Sequence, residues 1–289
     1  MPELPEVETV VRGLAPVMTG ARILQLEQRR GDLRFPLPPR FPERMAGRRI
    51  LSLGRRAKYI LMHLDGDEVL VAHLGMTGRF TIGRAANAAL THAAGGDPRH
   101  DHLVFHLSGG AVVTFNDARR FGYLDLLPAG TWAAHKFFAK LGVEPLSGDF
   151  TPAYLAAKAA GRKVDLKALL LDQHVIAGVG NIYASEALFR AGLKPVRMAS
   201  TLANRLGRPT ARAAALVVAV RTVLEDAVAA GGSSLRNYVQ ANGELGYFQK
   251  AHAVYDRAGE RCRREGCGGI VRRSVQAGRA TFHCPRCQR

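Results

Sequence analysis

The four cysteines near the end of this chain constrain its fold more than any other feature of the sequence. They form two pairs, Cys262-x4-Cys267 and Cys284-x2-Cys287, and two thiolate pairs on tight turns can close a tetrahedral four-cysteine zinc site. Apolar and β-branched residues lie between the pairs, and Gln276-Ala-Gly-Arg279 stands where a hairpin turn would be. We therefore predict a zinc ribbon with one structural zinc ion, since four protein ligands leave no open position for catalysis. The spacing disfavours the alternative of four free structural cysteines.

A formal net charge of +17, from 41 Lys plus Arg against 24 Asp plus Glu, predicts a polyanionic partner. The candidates are nucleic acid and an anionic membrane surface. No apolar run is long enough to span a bilayer, and the charged amino terminus does not resemble a signal peptide. Because the basic residues are spread along the chain rather than along one amphipathic helix, we favour nucleic acid. Cysteines confined to the last segment argue against a disulfide-stapled secreted protein, so we expect a cytoplasmic one.

Hydrophobic patterning divides the 289 residues into about two domains of different character. After one amino-terminal helix, strands are predicted at Ile23–Glu27, Ile50–Leu53, Tyr59–Leu64, Glu68–His73, Leu103–Leu107, Ala111–Phe115 and Tyr123–Leu127. Residues 1–130 are therefore predicted to form a β-sandwich or barrel that carries this helix. From Thr151 onward helices predominate, with candidates at Asp165–Asp172, Ile182–Ala191 and Arg212–Ala230. Two stretches are predicted to be loops: the proline-rich residues 36–42 and the Ala/Gly-rich tract Arg84–Asp97.

The first residues, Met1-Pro-Glu-Leu-Pro-Glu6, allow two interpretations. If Met1 is removed, Pro2 becomes a free secondary amine with Glu3 and Glu6 nearby. An α-amino group has a reference pKa near ~7.7–8.0, so a useful fraction is unprotonated at neutral pH and can act as a nucleophile. Attack on a sugar C1′ would leave a cationic iminium, and a nearby carboxylic acid could move protons for that chemistry. Alternatively, Pro and acidic residues mark an ordinary helix start, which is the interpretation these residues favour when taken alone.

The segment Asp172–Glu186 contains a second candidate site. Its glycines Gly178 and Gly180 stand just before an apolar helix start, where they permit a tight turn. Such a turn would point backbone N–H groups and the Asn181 side chain outward, as a phosphate cradle at a helix amino terminus. The same residues are equally typical of a packing joint between two helices.

Other candidate residues have ordinary local interpretations. Lys58 lies in a basic run, where a lysine is usually solvated. Met76 and Phe121, as isolated apolar residues, would usually belong to a core. His100 and His102 flank an aspartate, a pattern that permits a metal site.

Taken together, these segments resemble the formamidopyrimidine-DNA glycosylase family, in the family's order from Pro2 to Cys287. The resemblance implies a two-domain α+β fold with an amino-terminal β-sandwich and helix, a helix–two-turn–helix domain and a zinc-ribbon hairpin. The implied boundaries are 1–130 for the catalytic domain, 131–150 for a linker, 151–250 for the helix–two-turn–helix domain and 251–289 for the zinc finger. The Gly-rich tract Gly231–Phe248 resembles the family's lesion-recognition loop.

The resemblance also implies roles for individual residues. Pro2 would attack C1′, Glu3 would donate a proton during base loss, and Glu6 would support the sugar. Lys58 would assist β-elimination, and Arg279 at the ribbon tip would hold a phosphate and assist δ-elimination. The implied DNA contacts are His73, His100, Arg119, Arg162 and Asn181. The residues that would fill the gap left by an everted base are Met76, Arg119 and Phe121. The family uses no metal at the position of His100.

The implied protein is a bifunctional DNA glycosylase and abasic-site lyase of base excision repair. It would excise oxidised purines such as 8-oxoguanine and formamidopyrimidines from double-stranded DNA, as a monomer with one structural zinc and no organic cofactor. One alternative is an endonuclease VIII-like glycosylase for oxidised pyrimidines, which Leu4 disfavours because that branch usually has Gly there. The other is a non-catalytic damage-binding protein, which would have no need of a free amine at Pro2.

Overall fold

Helix α1 (Leu4–Met18) begins with a first turn that satisfies its own backbone N–H groups. In the computed structural model the Glu3 backbone N–H donates to Glu6 Oε2 at 2.8 Å, and the two glutamates form a capping box. Val7, Val10 and Leu14 form a fully buried stripe along the helix, as the spacing of the apolar residues predicts. The helix therefore anchors the amino terminus to the core.

The structure describes residues 1–84, 97–233 and 247–289. The chain divides into two units, each considered separately below. The first unit comprises Met1–Ala139 with Ala230–Gln249, and the second comprises Lys140–Ala229 with Lys250–Arg289. The predicted domain boundaries stay a prediction. The central part of the Ala/Gly-rich tract, residues 85–96, and most of the predicted lesion-recognition loop, residues 234–246, lie outside the described residues.

Two four-stranded antiparallel sheets follow α1 in the first unit. Their strands are β1 (Ile23–Gln28), β2 (Ile50–Arg56), β3 (Tyr59–Leu64), β4 (Glu68–His73), β5 (Arg79–Arg84), β6 (Asp101–Leu107), β7 (Ala111–Asn116) and β8 (Tyr123–Pro128). One sheet has the order β2-β3-β4-β8 and the other β1-β6-β7-β5. A single apolar core combines residues of α1 and of both sheets, so the predicted β-sandwich with an amino-terminal helix is confirmed.

Two elements of this unit differ from the sequence prediction. Strand β5 was not predicted, because its sequence Arg-Phe-Thr-Ile-Gly-Arg contains a glycine, ends in charged residues and borders the Ala/Gly-rich tract. It pairs with β7, and Phe80 is fully buried. Part of the proline-rich stretch forms a short helix, α2 (Phe41–Met45), rather than an extended loop, because Pro42 is compatible with a first helical turn.

The second unit is helical and ends in a two-stranded hairpin. Its helices are α3 (Pro152–Ala159), α4 (Leu166–Leu171), α5 (Asn181–Arg190) and α6 (Ala211–Ala229), and its strands are β9 (Arg272–Gln276) and β10 (Arg279–His283). The side chain of Asp165 caps α4 by accepting the Ala168 N–H at 2.7 Å. Among the described residues, no helix has the length and apolar character needed to cross a membrane.

Candidate active site and metal centre

The amino-terminal cluster consists of Pro2, Glu3, Glu6 and Lys58, which are all buried in the first unit. The Glu6 carboxylate is held at both oxygens: Oε2 accepts the Glu3 backbone N–H and Oε1 accepts the Ser233 backbone N–H, each at 2.8 Å. Glu6 therefore fixes the backbone that carries Glu3, a role that the sequence prediction did not include. The structure thus brings together the three residues to which the family resemblance assigns base removal and β-elimination.

The surroundings of the amino terminus favour an unprotonated amine. Burial lowers the pKa of the Met1 α-amino group below its ordinary value of 8.0, the Glu3 and Glu6 carboxylates oppose this change, and the Lys58 and Arg119 cations add to it. After removal of Met1, the amine of Pro2 would take its place one residue further along the chain. A neutral amine beside a buried carboxyl group is the arrangement that nucleophilic attack with proton donation requires.

Lys58 lies in the two-residue turn between β2 and β3, which is held by an arginine. The preceding residue, Ala57, has a left-handed φ of +53°, which residues other than glycine rarely adopt. Arg55 Nη1 donates to the Ala57 carbonyl at 2.9 Å, and Arg55 Nε donates to Glu8 Oε2 at 3.1 Å. Lys58 is thus mounted on a strained turn that Arg55 ties to helix α1.

His73, predicted to contact DNA, ends β4 near the amino-terminal cluster. Its Nδ1 accepts the Gly75 backbone N–H at 3.0 Å, and its ring stacks on Tyr123 with centroids 5.1 Å apart. Burial, followed by the positive charges of Lys58 and Arg34, lowers the pKa of His73 to about 4. The imidazole is therefore neutral at physiological pH and carries its proton on Nε2, so that it is a neutral donor rather than a cation.

The three predicted gap-filling residues are exposed. Met76 is 37% exposed and Phe121 is 44% exposed, which excludes the alternative that they are core residues. The Arg119 guanidinium lies 4.6 Å from the centre of the Phe121 ring, at a cation–π distance. Beside them is an open cavity of about 450 Å³ lined by Leu33, Arg34, Arg119, Arg120 and Phe121.

The residues around His100 are engaged in hydrogen bonds rather than arranged around a metal position. Asp101 Oδ1 accepts from Asn116 Nδ2 at 2.7 Å, and His102 Nε2 donates to the Asp117 carbonyl at 2.9 Å. Within the described ranges, the four cysteines are the only His, Cys, Asp and Glu cluster with metal-ligand spacing. His100 is partly exposed, and its DNA contact stays a prediction.

In the second unit, a glutamine closes the glycine-containing loop before α5. Gln173 Oε1 accepts the Gly178 N–H and Gln173 Nε2 donates to the Val179 carbonyl, both at 2.8 Å. Asn181 begins α5, and its Nδ2 donates to the Ala280 carbonyl at 2.9 Å. Its Oδ1 is buried and has no hydrogen-bond partner among the described residues. The predicted phosphate contact of Asn181 stays a prediction.

Arg162, the other predicted DNA contact of this unit, is partly exposed and pairs with an aspartate. Its Nη1 lies 2.8 Å from Asp172 Oδ2. Burial would raise the pKa of Asp172, but hydrogen bonds from Arg162 and from the His174 backbone N–H lower it overall. A phosphate contact by Arg162 would therefore compete with an ionised partner.

Arg279 is exposed at the tip of the hairpin, directly after a turn in which residues 277 and 278 have φ of +46° and +72°. The predicted hairpin turn is thereby confirmed. The two residues after Arg279 are held by a lysine: Lys167 Nζ, fully buried, donates to the Ala280 carbonyl at 2.8 Å and to Thr281 Oγ1 at 2.6 Å. Sequence reasoning missed Lys167 and Gln173, because their partners give no local signal.

The four cysteine Sγ atoms form one cluster at the base of the hairpin, all within 4.8 Å of one another. Cys262 and Cys287 are 3.7 Å apart, and Cys267 and Cys284 are 3.6 Å apart. Four thiolates about 2.3 Å from a tetrahedral zinc ion would be about 3.8 Å apart, so the spacing fits a metal ion. Gly269 leaves room for this cluster, since a Cβ there would be 2.7 Å from Cys284 Sγ.

Comparisons with known proteins agree along the whole chain. Residues 1–124 match the model of the formamidopyrimidine-DNA glycosylase N-terminal domain, and residues 141–239 match that of the formamidopyrimidine-DNA glycosylase H2TH domain. A formamidopyrimidine-DNA glycosylase of Sinorhizobium fredii is 56% identical over 296 residues, with both chains fully covered. The chain belongs to the formamidopyrimidine-DNA glycosylase family. Its predicted family and enzyme class, DNA glycosylase and abasic-site lyase of base excision repair, are confirmed.

Solved members of the family share the fold. The Lactococcus lactis Fpg in complex with an abasic site containing DNA superposes with a TM-score of 0.85 at 29% identity and covers 99% of each chain. The MutM (Fpg) protein of Thermus thermophilus superposes with a TM-score of 0.81 at 41% identity, over 99% of this chain and 98% of that one. The predicted two-domain α+β fold class of the glycosylase family is therefore confirmed.

Proposed function

We propose that this glycosylase excises oxidised purines, such as 8-oxoguanine and formamidopyrimidines, from duplex DNA through the α-amine of Pro2. The observation that carries the proposal is the cluster at the amino terminus. Pro2, Glu3 and Lys58 are buried there, and partial burial lowers the pKa of the terminal amine. A protein that only binds damaged DNA has no use for such an amine. The non-catalytic alternative is accordingly disfavoured.

The chemistry follows from the roles of these residues. The Pro2 nitrogen forms a bond to C1′ as the C1′–N glycosidic bond breaks, and Glu3 donates a proton to the departing base. Sugar-ring opening then gives an iminium that withdraws electrons. Loss of a C2′ proton, assisted by Lys58, expels the 3′ phosphate in β-elimination. A second elimination, assisted by Arg279, expels the 5′ phosphate. Glu6 keeps the Glu3 backbone in place.

DNA binding is assigned to polar and basic groups of both units. His73, as a neutral donor, and His100, Arg119, Arg162 and Asn181 would contact the strand backbone or the orphaned base. Met76, Arg119 and Phe121 would enter the gap left by the everted base, and the cost of flipping, a few kcal/mol, is thereby partly offset. Solved structures of the Lactococcus lactis Fpg include complexes with DNA that contains an abasic site, an oxidised pyrimidine or Fapy-dG. We expect this protein to bind DNA with lesions of the same class, as a monomer in the cytoplasm.

We assign zinc as the metal of the four-cysteine cluster. The 3.6–3.7 Å distances between paired Sγ atoms and the all-thiolate donor set suit zinc. Cys262, Cys267, Cys284 and Cys287 would hold it, and the ion would stabilise the ribbon that carries Arg279. It takes no part in the proposed chemistry.

An endonuclease VIII-like preference for oxidised pyrimidines is the second candidate. One solved relative, the Lactococcus lactis Fpg, was crystallised with an oxidised pyrimidine containing DNA, so the family fold accepts such lesions. Competition between an 8-oxoguanine duplex and a thymine glycol duplex separates the two preferences. Preferential cleavage of the thymine glycol duplex would reverse our assignment.

Borohydride trapping on an 8-oxoguanine duplex, followed by mapping of the cross-linked residue, tests the nucleophile. We expect the cross-link at Pro2. A protein with an uncleavable amino-terminal tag is the matched control, because its amide nitrogen has no basic lone pair and should neither cross-link nor excise. Equal cross-linking of the tagged protein would place the nucleophile elsewhere, with Lys58 as the first candidate.

A further inference from the structure

Two short loops of the first unit carry the gap-filling residues, and a threonine joins them. The Met76 loop comprises residues 74–78, and the Phe121 loop comprises residues 117–122. Thr77 Oγ1 donates to Asp117 Oδ1 at 2.5 Å and accepts the Arg119 backbone N–H at 3.1 Å. One hydroxyl group therefore donates to the first residue of the Phe121 loop and accepts from its third.

Asp117 holds the Phe121 loop from within. It is fully buried, its Oδ2 accepts the Gly122 N–H at 2.7 Å, and its carbonyl accepts from His102 Nε2 at 2.9 Å. The two loops also touch through their backbones, since a Cβ at Gly75, where φ is +60°, would lie 2.3 Å from the carbonyl carbon of Phe121. The loops are thus packed and hydrogen-bonded as one piece.

We propose that Thr77 and Asp117 are positioning residues that join the Met76 and Phe121 loops into one rigid wedge. The proposal rests on the proposed function, in which Met76, Arg119 and Phe121 replace an everted base. Side chains that are inserted into a duplex must resist the tendency of the neighbouring bases to restack. Two independent loops would each yield to that force, whereas joined loops resist it together.

The chemistry of residue 77 makes the coupling testable. The threonine hydroxyl group donates to the Asp117 carboxylate and accepts from the Arg119 N–H through one oxygen atom. Thr77→Val keeps the shape of the side chain but makes neither bond, whereas Thr77→Ser keeps both. Thr81→Val, at a buried threonine on β5, is the control for loss of a threonine hydroxyl group.

The experiment follows wedge insertion by the fluorescence of 2-aminopurine placed beside 8-oxoguanine in a duplex. Because Thr77→Val removes a hydrogen bond to a charged group, we expect it to slow insertion and single-turnover excision at least about ten-fold. Thr77→Ser and Thr81→Val should stay within about three-fold of the unmodified protein. Borohydride trapping on a preformed abasic site should also be nearly unchanged in Thr77→Val, because no base has to be everted there.

Several outcomes would overturn the proposal. One is an insertion rate in Thr77→Val equal to that of the unmodified protein. Another is a Thr77→Ser variant that is slowed as much as Thr77→Val. A third is abasic-site trapping in Thr77→Val that is slowed as much as excision, which would reveal a general structural defect. Failure of the proposed function would look different, because the unmodified protein itself would then neither excise nor trap. Insertion precedes the chemistry, so the fluorescence comparison tests the coupling even in that case.

Discussion

Replacing Arg55 by Met should loosen the turn that carries Lys58. The Arg55 side chain is 10% exposed, and its contacts include a hydrogen bond of 2.9 Å to the Ala57 carbonyl and an ion pair of 3.1 Å with Glu8. A hydrogen bond from a charged group contributes about 1.5–3 kcal/mol, whereas the pair with the partly exposed Glu8 contributes about 1 kcal/mol or less. Met preserves the apolar stem, so the free energy of unfolding should fall by about 2–3 kcal/mol.

The effect on activity should exceed the effect on folding. Without Arg55, the positive φ of Ala57 is no longer held by its carbonyl, so the turn can relax and displace Lys58. A displacement of about 1 Å can cost a factor of about 100 in rate. We therefore expect strand cleavage at a preformed abasic site to slow at least about ten-fold, measured at a temperature where the variant is fully folded.

Arg12→Met is the matched control for this prediction. Arg12 pairs with the same Glu8 at 2.9 Å, but its side chain is 64% exposed, so its loss should cost less than about 0.5 kcal/mol. Cleavage rates that are equal in Arg55→Met and Arg12→Met would refute the reasoning. The Lys58 turn would then keep its conformation without the arginine.

Three further predictions concern the amine, the metal and the DNA. Because burial lowers the pKa of the terminal amine, the borohydride-trapping rate should rise with pH and level off below pH 8.0. Lys58→Met removes a cation that lowers this pKa, so the rise in rate should move to higher pH. An unchanged pH profile in Lys58→Met would contradict this prediction. Cys284→Ser should lose zinc and duplex affinity together, as measured by metal analysis and titration; full affinity without zinc would count against the ribbon's role. Arg279→Ala should reduce the slope of log affinity against log salt by about 0.9, and an unchanged slope would remove its phosphate contact.

The features that the sequence predicted correctly are those with a local physical signature. Short apolar runs on either side of a turn mark β3 and β4, most of whose residues are buried. The cysteine spacing follows from the geometry of tetrahedral coordination. Strand β5 lacks such a signature. Its place in the sheet depends on pairing with β7, whose residues are distant in the sequence.

The hydrogen-bond networks around the site could not have been predicted in the same way. Thr77 and Asp117 are 40 residues apart, and Lys167 and Thr281 are 114 apart. Each of these residues is unremarkable in its own segment, and the interaction exists only after the chain has folded. Family resemblance assigns the residues that touch the substrate, while the structure identifies those that hold them in place.

The exposure of Met76 and Phe121 shows why local interpretation failed for the wedge. Full burial of such a side chain contributes about 1.5–3 kcal/mol, so a chain selected for stability alone would place both in the core. Here they are 37% and 44% exposed, and the fold forgoes part of that free energy. The proposed insertion into a duplex would recover this free energy, because it buries apolar surface between bases, against an unstacking cost of a few kcal/mol. Rigid mounting increases the net gain, because a side chain held in place before binding avoids an ordering cost of about 0.5–1.5 kcal/mol.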